Sequence, residues 1–349
     1  MHFGFDEEQL EFRTQMRALT DKNGTAADLR EAWASERGWS QARWRALAEL
    51  GVVGLTVPEA HGGLGLGLVD LVLLLEEAGR SGLPEPLLET TALAVPLLCH
   101  LVGAGAEDVR ERWLPRVAAG DCVMAVATAA MTIVPAAASA HLLLLERAGE
   151  LHAVEAADCV RIPRAALDGA SRPAEVRWEP SPATRLAAGE EAVGVLAALA
   201  ERAAMSTGAV LLGVADRLIS MTAHYALERV QFGRPIGSFQ AVKHHLADAL
   251  IRLEFARPAV YRSACSLDQG DPDASWHASM AKALAADAAT GAARTALQIH
   301  GAIGYTWEHD LHIWMKRAWS LAAAWGDART HRARLLDRML ADQPVRRAD

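Results

Sequence analysis

The stretch ALERVQFGRPIGSFQ, residues 226–240, decides the fold. Before it lies a stripe of residues that step by three and four, the pattern of a long helix with one buried face. The members of this stripe are Leu211, Val214, Leu218, Met221 and Tyr225. After the stretch, a second helical pattern runs from Phe239 to about Leu267. The sequence therefore predicts two long helices joined at residues 226–240.

The rest of the chain divides into two kinds of pattern. A third helix is predicted over Ala274–Ile299, and one last helix fills the end of the chain. From Asp6 to about Gly120 the pattern is again helical, interrupted by a glycine-rich loop at 57–65. Between about 121 and 182, short apolar or alternating runs are separated by turn residues, as in a small sheet. These runs are 122–127, 141–145, 151–154, 160–162 and 176–178.

This order predicts a mostly α protein with a small β insert. We expect an N-terminal helical domain at 1–120, a shortened middle β-domain at 121–186, and a C-terminal four-helix bundle at 187–349. The 349 residues are enough for two or three packed units, and half of them are apolar.

Charge and cysteine content limit the function classes. The formal net charge is −8 with no block of Lys or Arg, which argues against nucleic acid and membrane surfaces as partners. The four cysteines lie far apart without metal-site spacing, as expected of buried thiols in a reduced cytoplasm. The N-terminus does not resemble a signal peptide, and the apolar runs are broken short of a membrane span. We therefore expect a soluble, cytoplasmic protein.

Four stretches together resemble the acyl-CoA dehydrogenase family over nearly the whole chain. They are residues 44–65 with Val57-Pro58-Glu59, residues 226–240, the turn Gln298-Ile299-His300-Gly301-Ala302-Ile303-Gly304-Tyr305, and Thr306–Asp310 followed by Lys316-Arg317-Ala318 and Gly326-Asp327. The resemblance implies an acyl-CoA dehydrogenase-like fold and α,β-dehydrogenation of an acyl thioester. In that reaction a carboxylate removes the α-proton, and the N5 atom of FAD accepts a hydride from the β-carbon.

The resemblance also implies FAD contacts. Six residues match positions that approach the pyrophosphate and adenine side of FAD held mainly by a neighbouring subunit: Arg229, Phe232, Gln240, Gln298, Gly301 and Gly304. Arg offers a fixed fork of donors to phosphate oxygens. Structural alternatives remain open: Arg229 could pair with Glu228 or Asp216, Phe232 could be a core aromatic, and the turn 298–304 could be only a helix C-cap.

The part of the family pattern that holds the flavin ring is missing. Family members carry a Thr-Glu-Pro loop followed by Gly-Ser, and later a Trp-x-Thr strand. Residues 127–135 read ATAAMTIVP instead, without the acid, and lead directly into the next predicted strand. Trp178 comes too late to serve as the flavin-side Trp, so we expect it to pack. We infer a deletion, and a chain that does not seat the flavin ring itself.

The catalytic base is also missing from its expected positions. Where many members carry Glu before Gly, this chain has Trp325-Gly326, and at the other known position it has Ala203. Glu201 is two residues from Ala203, about 200° around a helix. Asp327 is one carbon shorter than Glu and two positions displaced from 325. Glu201 and Asp327 remain the weak candidates for a catalytic role.

We predict no metal site. The histidines at 244, 245, 309, 312 and 331 do not combine with a carboxylate at clear metal spacing, so we expect surface or capping roles for them. A buried thiol or an isolated histidine is a common structural feature and needs no metal to explain it.

The resemblance leads to one main hypothesis. A chain that keeps the adenine-side motif without the ring-side loop and base suits an α2β2 heterotetramer with a second acyl-CoA dehydrogenase-like subunit. The substrate would be a bulky acyl-CoA or acyl-carrier-protein thioester, as in β-oxidation of fatty acids or steroid side chains, with electrons passed to an electron-transfer flavoprotein. Two alternatives remain: a homomeric thioester enzyme of natural-product biosynthesis, including a flavin-free lyase or cyclase, and a non-catalytic scaffold subunit.

Overall fold

A computed structural model describes residues 4–341 of the chain. The chain forms two compact units, Met1–Ala203 and Ala204–Asp349, and the boundary falls inside one long helix. The finer division into three domains stays a prediction.

Helices make up the first part of the first unit. Their bounds are α1 Glu7–Asn23, α2 Ala26–Ala34, α3 Gln41–Glu49, α4 Leu68–Ser81, a π-helix at Leu88–Ala94, α5 Val95–His100 and α6 Ala104–Ala118. Asp6 and Thr25 begin α1 and α2 with capping boxes, which satisfy the otherwise free amides of each first turn. Helix α4 is buried on nearly every side. Its apolar first half packs in the core, and the buried Glu77 of its second half pairs with Arg17 and Arg80.

Six short strands follow. They are β1 Met124–Ala127, β2 Leu142–Arg147, β3 Glu150–Glu155, β4 Val160–Pro163, β5 Ala174–Arg177 and β6 Arg185–Ala188. Strands β1, β2, β3 and β6 form one sheet in that order, and β4 pairs with β5. Each predicted run overlaps a strand, whereas β6 had no alternating pattern to reveal it. Strand β1 is parallel to β2. Their connection, residues 128–141, is about as short as a parallel crossover can be.

The second unit is helical. It contains most of α7 (Gly189–Glu228), together with α8 Gln240–Asp268, α9 Ala274–His300, α10 Leu311–Ala323 and α11 Ala328–Ala341. A two-stranded hairpin of β7 (Val230–Gln231) and β8 (Arg234–Pro235) follows α7. The expectation of one last helix is wrong, because Trp325 and Gly326 have left-handed backbone conformations that end the helical path between α10 and α11.

Helix α7 is long and apolar enough to cross a membrane by length and composition. However, 61% of its most apolar window is buried inside the protein, as in the core helix of a soluble protein. This helix is therefore weak evidence for a membrane span.

Candidate functional site

The hairpin after α7 projects its turn into solvent. Phe232 and Gly233 both have positive φ, +54° and +76°, the backbone that a two-residue hairpin turn requires. The Phe232 side chain is 93% exposed. The alternative that Phe232 is a core aromatic is therefore wrong. Its ring lies edge-on to Phe239, at 6.0 Å between centroids, and Arg234 lies over that second ring.

Arg229 stands between α7 and the hairpin with a fixed backbone. Its N–H donates to the carbonyl of Tyr225 and its carbonyl accepts from Ile236 N–H, both at 2.8 Å. Its exposed guanidinium has no hydrogen-bond or ion-pair partner among residues 4–341. The proposed pairings with Glu228 and Asp216 are wrong, because Glu228 lies against His224 and Asp216 binds Arg257.

The predicted turn after α9 is built as a helix end. Gly301 closes α9, donating its N–H to the Leu297 carbonyl, and its φ of +63° with ψ of −138° is a conformation for glycine. Gly304 is buried, and a Cβ there would lie 3.1 Å from the His300 Cβ, so this glycine serves close packing. The C-cap interpretation therefore describes the backbone of the turn correctly. Gln298 is exposed on the last turn of α9.

All six predicted FAD-contact residues lie at one end of the second unit. Helices α8 and α9 are antiparallel, since Arg252 approaches Gly291 near their middle and Ser266 bonds to His277 at the far end. The start of α8, at Gln240, and the end of α9, at Gln298, are therefore neighbours. The hairpin is joined to this end by aromatic stacking between α7 and α9.

That stacking involves three residues, Tyr225, His300 and His309, for which the sequence predicted no contact with one another. The rings of Tyr225 and His300 stack with 4.3 Å between centroids, and His309 meets the His300 ring edge-on at 4.6 Å. His300 is buried and donates its Nδ1–H to the Ala296 carbonyl. Burial lowers the pKa of His300, so its ring is neutral and stacks without a charge. The signal for this contact was the heptad-like stripe ending at Tyr225.

The loop in the place of the missing flavin motif has backbone amides that are hydrogen-bonded within the chain. The Glu146 carboxylate accepts a hydrogen bond from the Ala129 N–H at 3.0 Å, and Met131 N–H donates to the Thr128 carbonyl. A cavity of about 580 Å³ lies beside this loop and reaches Trp178. Its cations are also engaged: Arg164 pairs with Glu175, and Arg147 donates to the Trp178 carbonyl while lying over its ring.

Trp178 packs, as expected from the sequence. It lies partly buried against the apolar cluster around β1 and β2, and its ring is tilted against His152 at 5.0 Å. It is therefore a wall of the β-sheet core and of the neighbouring cavity.

The two candidate bases differ in their surroundings. Glu201 is half-buried on α7, and burial raises the pKa of its carboxyl, a property of many general acids and bases. Ala203, at the family position, is fully buried and so lies on another side of the helix. Asp327 is exposed and accepts both the N–H and the hydroxyl of Thr330 at 2.7 Å. These bonds lower the pKa of Asp327, which makes it a helix cap and a weak base.

Two of the histidines expected in surface or capping roles are buried. His331 is fully buried between Ser279 and the Trp325 carbonyl, and His312 is 6% exposed with its ring 4.6 Å from that of Trp307. The surface role is wrong for both, because each lies on the inner face of its helix, whereas the bond from His331 to the Trp325 carbonyl just after α10 agrees with the capping role. Within residues 4–341, no three His, Cys, Asp or Glu side chains are grouped so that they could hold a metal ion.

Known proteins match nearly the whole chain. The model of the acyl-CoA dehydrogenase N-terminal domain matches residues 6–121, and that of the C-terminal domain matches 194–340. Acyl-CoA dehydrogenase IpdE2 of Mycobacterium tuberculosis is 34% identical over 89% of this chain and 91% of its own length.

Two solved structures are also similar. The ChsE4-ChsE5 complex of Mycobacterium tuberculosis has a TM-score of 0.86 at 26% identity, covering 99% of this chain and 100% of the other. The Tcur3481-Tcur3483 steroid ACAD G363A variant has a TM-score of 0.85 at 28% identity, covering 96% and 98%. The predicted fold class, mostly α with a small β insert, is confirmed.

Proposed function

This chain belongs to the acyl-CoA dehydrogenase family of oxidoreductases, as its motifs predicted, and from that premise we propose that it completes the FAD site of a partner subunit. The partner would be a second, more complete acyl-CoA dehydrogenase-like chain in an α2β2 assembly. The reaction would be α,β-dehydrogenation of a bulky acyl thioester in the cytoplasm, with an electron-transfer flavoprotein as the acceptor.

The observation that carries this proposal is the exposure of the Arg229 and Phe232 side chains, which together are called the Arg229–Phe232 arm. A guanidinium without a hydrogen-bond or ion-pair partner in the described chain and a nearly fully exposed aromatic ring lie three residues apart, at the start and at the turn of the β7–β8 hairpin. Arg binds phosphate through two parallel hydrogen bonds, and an exposed ring stacks on a nucleobase. These residues, with Gln240 and Gln298 at the same end of the unit, fit the nucleotide half of FAD.

The flavin-ring half of FAD fits the residues of this chain less well than the nucleotide half does. The Ala129 N–H, in the loop 127–135 that takes the place of the flavin loop, already donates to Glu146 of β2. The loop itself contains no acid, glycine or serine. A tryptophan replaces the base at 325, and an indole cannot accept the α-proton. The partner would therefore supply the loop that seats the ring and the carboxylate that takes the proton.

Bound FAD would supply the hydride acceptor, and this chain's contribution would be binding and orientation. Arg229 would neutralise pyrophosphate charge, which is worth about 1.5–3 kcal/mol for a charged hydrogen bond. Gln298, which is exposed on the last turn of α9 beside Gly301, would complete the contact to the nucleotide.

The similar proteins support a two-component assembly. Both solved structures carry names that pair two components, ChsE4-ChsE5 and Tcur3481-Tcur3483, and the second is described as a steroid ACAD. A bulky, multi-ring acyl group is therefore the substrate class that we favour for this chain.

Expression of the chain alone and with a gene-adjacent homologue tests the proposal. We expect a colourless chain alone and a yellow complex with fewer flavins than chains when the two are produced together. A yellow, active homo-oligomer of this chain would contradict the proposal. A colourless homo-oligomer that converts a thioester would favour the lyase alternative, and a flavin content of the complex that is independent of this chain would favour the scaffold.

A further inference from the structure

A fully buried lysine lies beneath the loop at the position of the missing base. The Lys282 side chain, on α9, is 0% exposed and its ammonium donates to the carbonyls of Ala322 and Gly326, each at 3.0 Å. Both carbonyls belong to the end of α10 and the loop after it. No carboxylate of the described chain lies within salt-bridge distance of this amine, although Asp327 is near enough to attract its charge.

A buried histidine holds the same loop from the other side. His331 of α11 is 0% exposed, and its Nε2–H donates to the Trp325 carbonyl at 3.1 Å. Its Nδ1 faces the Ser279 hydroxyl at 3.2 Å, and Ser279 lies one turn before Lys282 on α9. The neutral ring with hydrogen on Nε2 satisfies both contacts. The carbonyls of Ala322, Trp325 and Gly326 are therefore bound by two interior side chains. These carbonyls belong to residues 322–327, the end of α10 and the turn after it, which are together called the 322–327 loop.

The loop itself has a backbone that needs such support. Trp325 and Gly326 have φ of +57° and +95°, and the first is a conformation that a tryptophan rarely adopts. A Cβ on Gly326 would lie 2.9 Å from the His331 Nε2, so only glycine leaves room for the histidine. Burying an amine without a carboxylate partner costs free energy unless its hydrogen bonds are satisfied. The carbonyls of this loop satisfy them for Lys282, and the lysine in turn satisfies these carbonyls.

We propose that Lys282 and His331 are positioning residues that clamp the 322–327 loop and fix Trp325 in its left-handed conformation. The hydrogen bonds of this clamp to the loop go to the backbone carbonyls at 322, 325 and 326, so they do not depend on the side chain at 325. This chain therefore keeps the support for a residue at the base position while presenting a half-buried indole there.

Fluorine NMR of the full-length chain, labelled with 5-fluorotryptophan, tests the clamp. Trp325→Phe identifies the Trp325 resonance by its loss. In Lys282→Met we expect that resonance to broaden and move toward the free amino acid, while those of Trp39, Trp44 and Trp113 in the first unit stay in place. Lys243→Met, which removes an exposed lysine of α8, is the matched control and should change none of them. A folded Lys282→Met protein with an unchanged Trp325 resonance would overturn the proposal.

A second pair of variants covers the case in which Lys282→Met does not fold. Gln at 331 can place an amide N–H where the His331 Nε2–H lies, whereas Leu cannot. We expect His331→Gln to keep the native Trp325 resonance and His331→Leu to lose it. If the two variants give the same spectrum, the donor to the Trp325 carbonyl is not what positions the loop, and the proposal fails.

Discussion

Tyr225 and His300 stack face to face, with ring centroids 4.3 Å apart and planes inclined by 18°. Tyr225 precedes Arg229 by one helical turn, and its carbonyl accepts the Arg229 N–H. His300 precedes Gly301 directly. This single contact therefore couples the hairpin that carries Arg229 and Phe232 to the turn that carries Gln298 and Gly301.

The Tyr225→Leu variant should loosen that coupling. Loss of the aromatic pair removes about 0.5–1.5 kcal/mol beyond the buried area, so we expect urea unfolding of the chain to shift to lower concentration. The complex with the partner should also bind FAD less tightly, because the hairpin is no longer held beside the α9 turn. Tyr225→Phe keeps the ring and serves as the control. Equal FAD affinity in the Leu and Phe variants would show that the stack does not position the arm.

The Arg229→Ala variant should weaken FAD binding without affecting the fold. The guanidinium has no hydrogen-bond or ion-pair partner within the described chain, so we expect the midpoint of thermal unfolding of the chain alone to be unchanged. In the complex, loss of a charged hydrogen bond to phosphate should weaken FAD binding by about 10- to 100-fold. Flavin fluorescence titration measures the affinity. Arg45→Ala, which removes an exposed Arg paired with Asp121 in the first unit, is the control and should leave affinity unchanged.

The Phe232→Gly variant separates the contribution of Phe232 to stability from its contribution to FAD binding. Glycine removes the cost of a left-handed conformation, about 1–2 kcal/mol for an ordinary residue, so the chain should be as stable as before or more so. Loss of a stacking ring should nonetheless weaken FAD binding by the complex, by about 1–3 kcal/mol. Thermal unfolding and FAD titration of the same preparation test both parts. A variant that is more stable and binds FAD normally would exclude Phe232 from the site.

Lys282 should make the chain more stable at high pH. Burial lowers the pKa of its amine from the ordinary 10.5 to about 8. Between these values the native state has lost the proton and the unfolded state still binds it, so the free energy of unfolding rises with pH, by up to about 3 kcal/mol. Urea unfolding at several pH values, compared with Lys282→Met, isolates this effect. A difference between the two proteins that does not vary from pH 8 to 10.5 would contradict it.

His331 should make the chain less stable in mild acid. Burial lowers its pKa from the ordinary 6.5 to about 4. In this window the unfolded state binds a proton that the native state does not, so stability falls as the pH is lowered from 6.5 to 4, by up to about 3 kcal/mol. His331→Gln, which does not titrate, should show a flatter profile in the same urea series. Parallel profiles for the two proteins would rule out His331 as the source.

The pattern of the helices was predictable because it depends on local spacing. Apolar residues at three and four define α7 wherever the helix packs. Two features could not be predicted from local spacing. Strand β6 is formed by pairing with β3. The break between α10 and α11 is supported by contacts of its carbonyls to Lys282 and His331. Both depend on residues remote in sequence.

The same distinction applies to the site. The motifs identified the family from sequence order alone, because each motif is a continuous segment with its own backbone requirement. The FAD contacts that they suggest at 229, 232, 240 and 298 stay a prediction. Only the tertiary structure decided that Arg229 has no partner within the described chain, that Phe232 faces solvent, and that a buried lysine supports the Trp325 loop. A side chain's charge partner and exposure are set by whichever segments pack around it, and a linear pattern contains no measure of that distance.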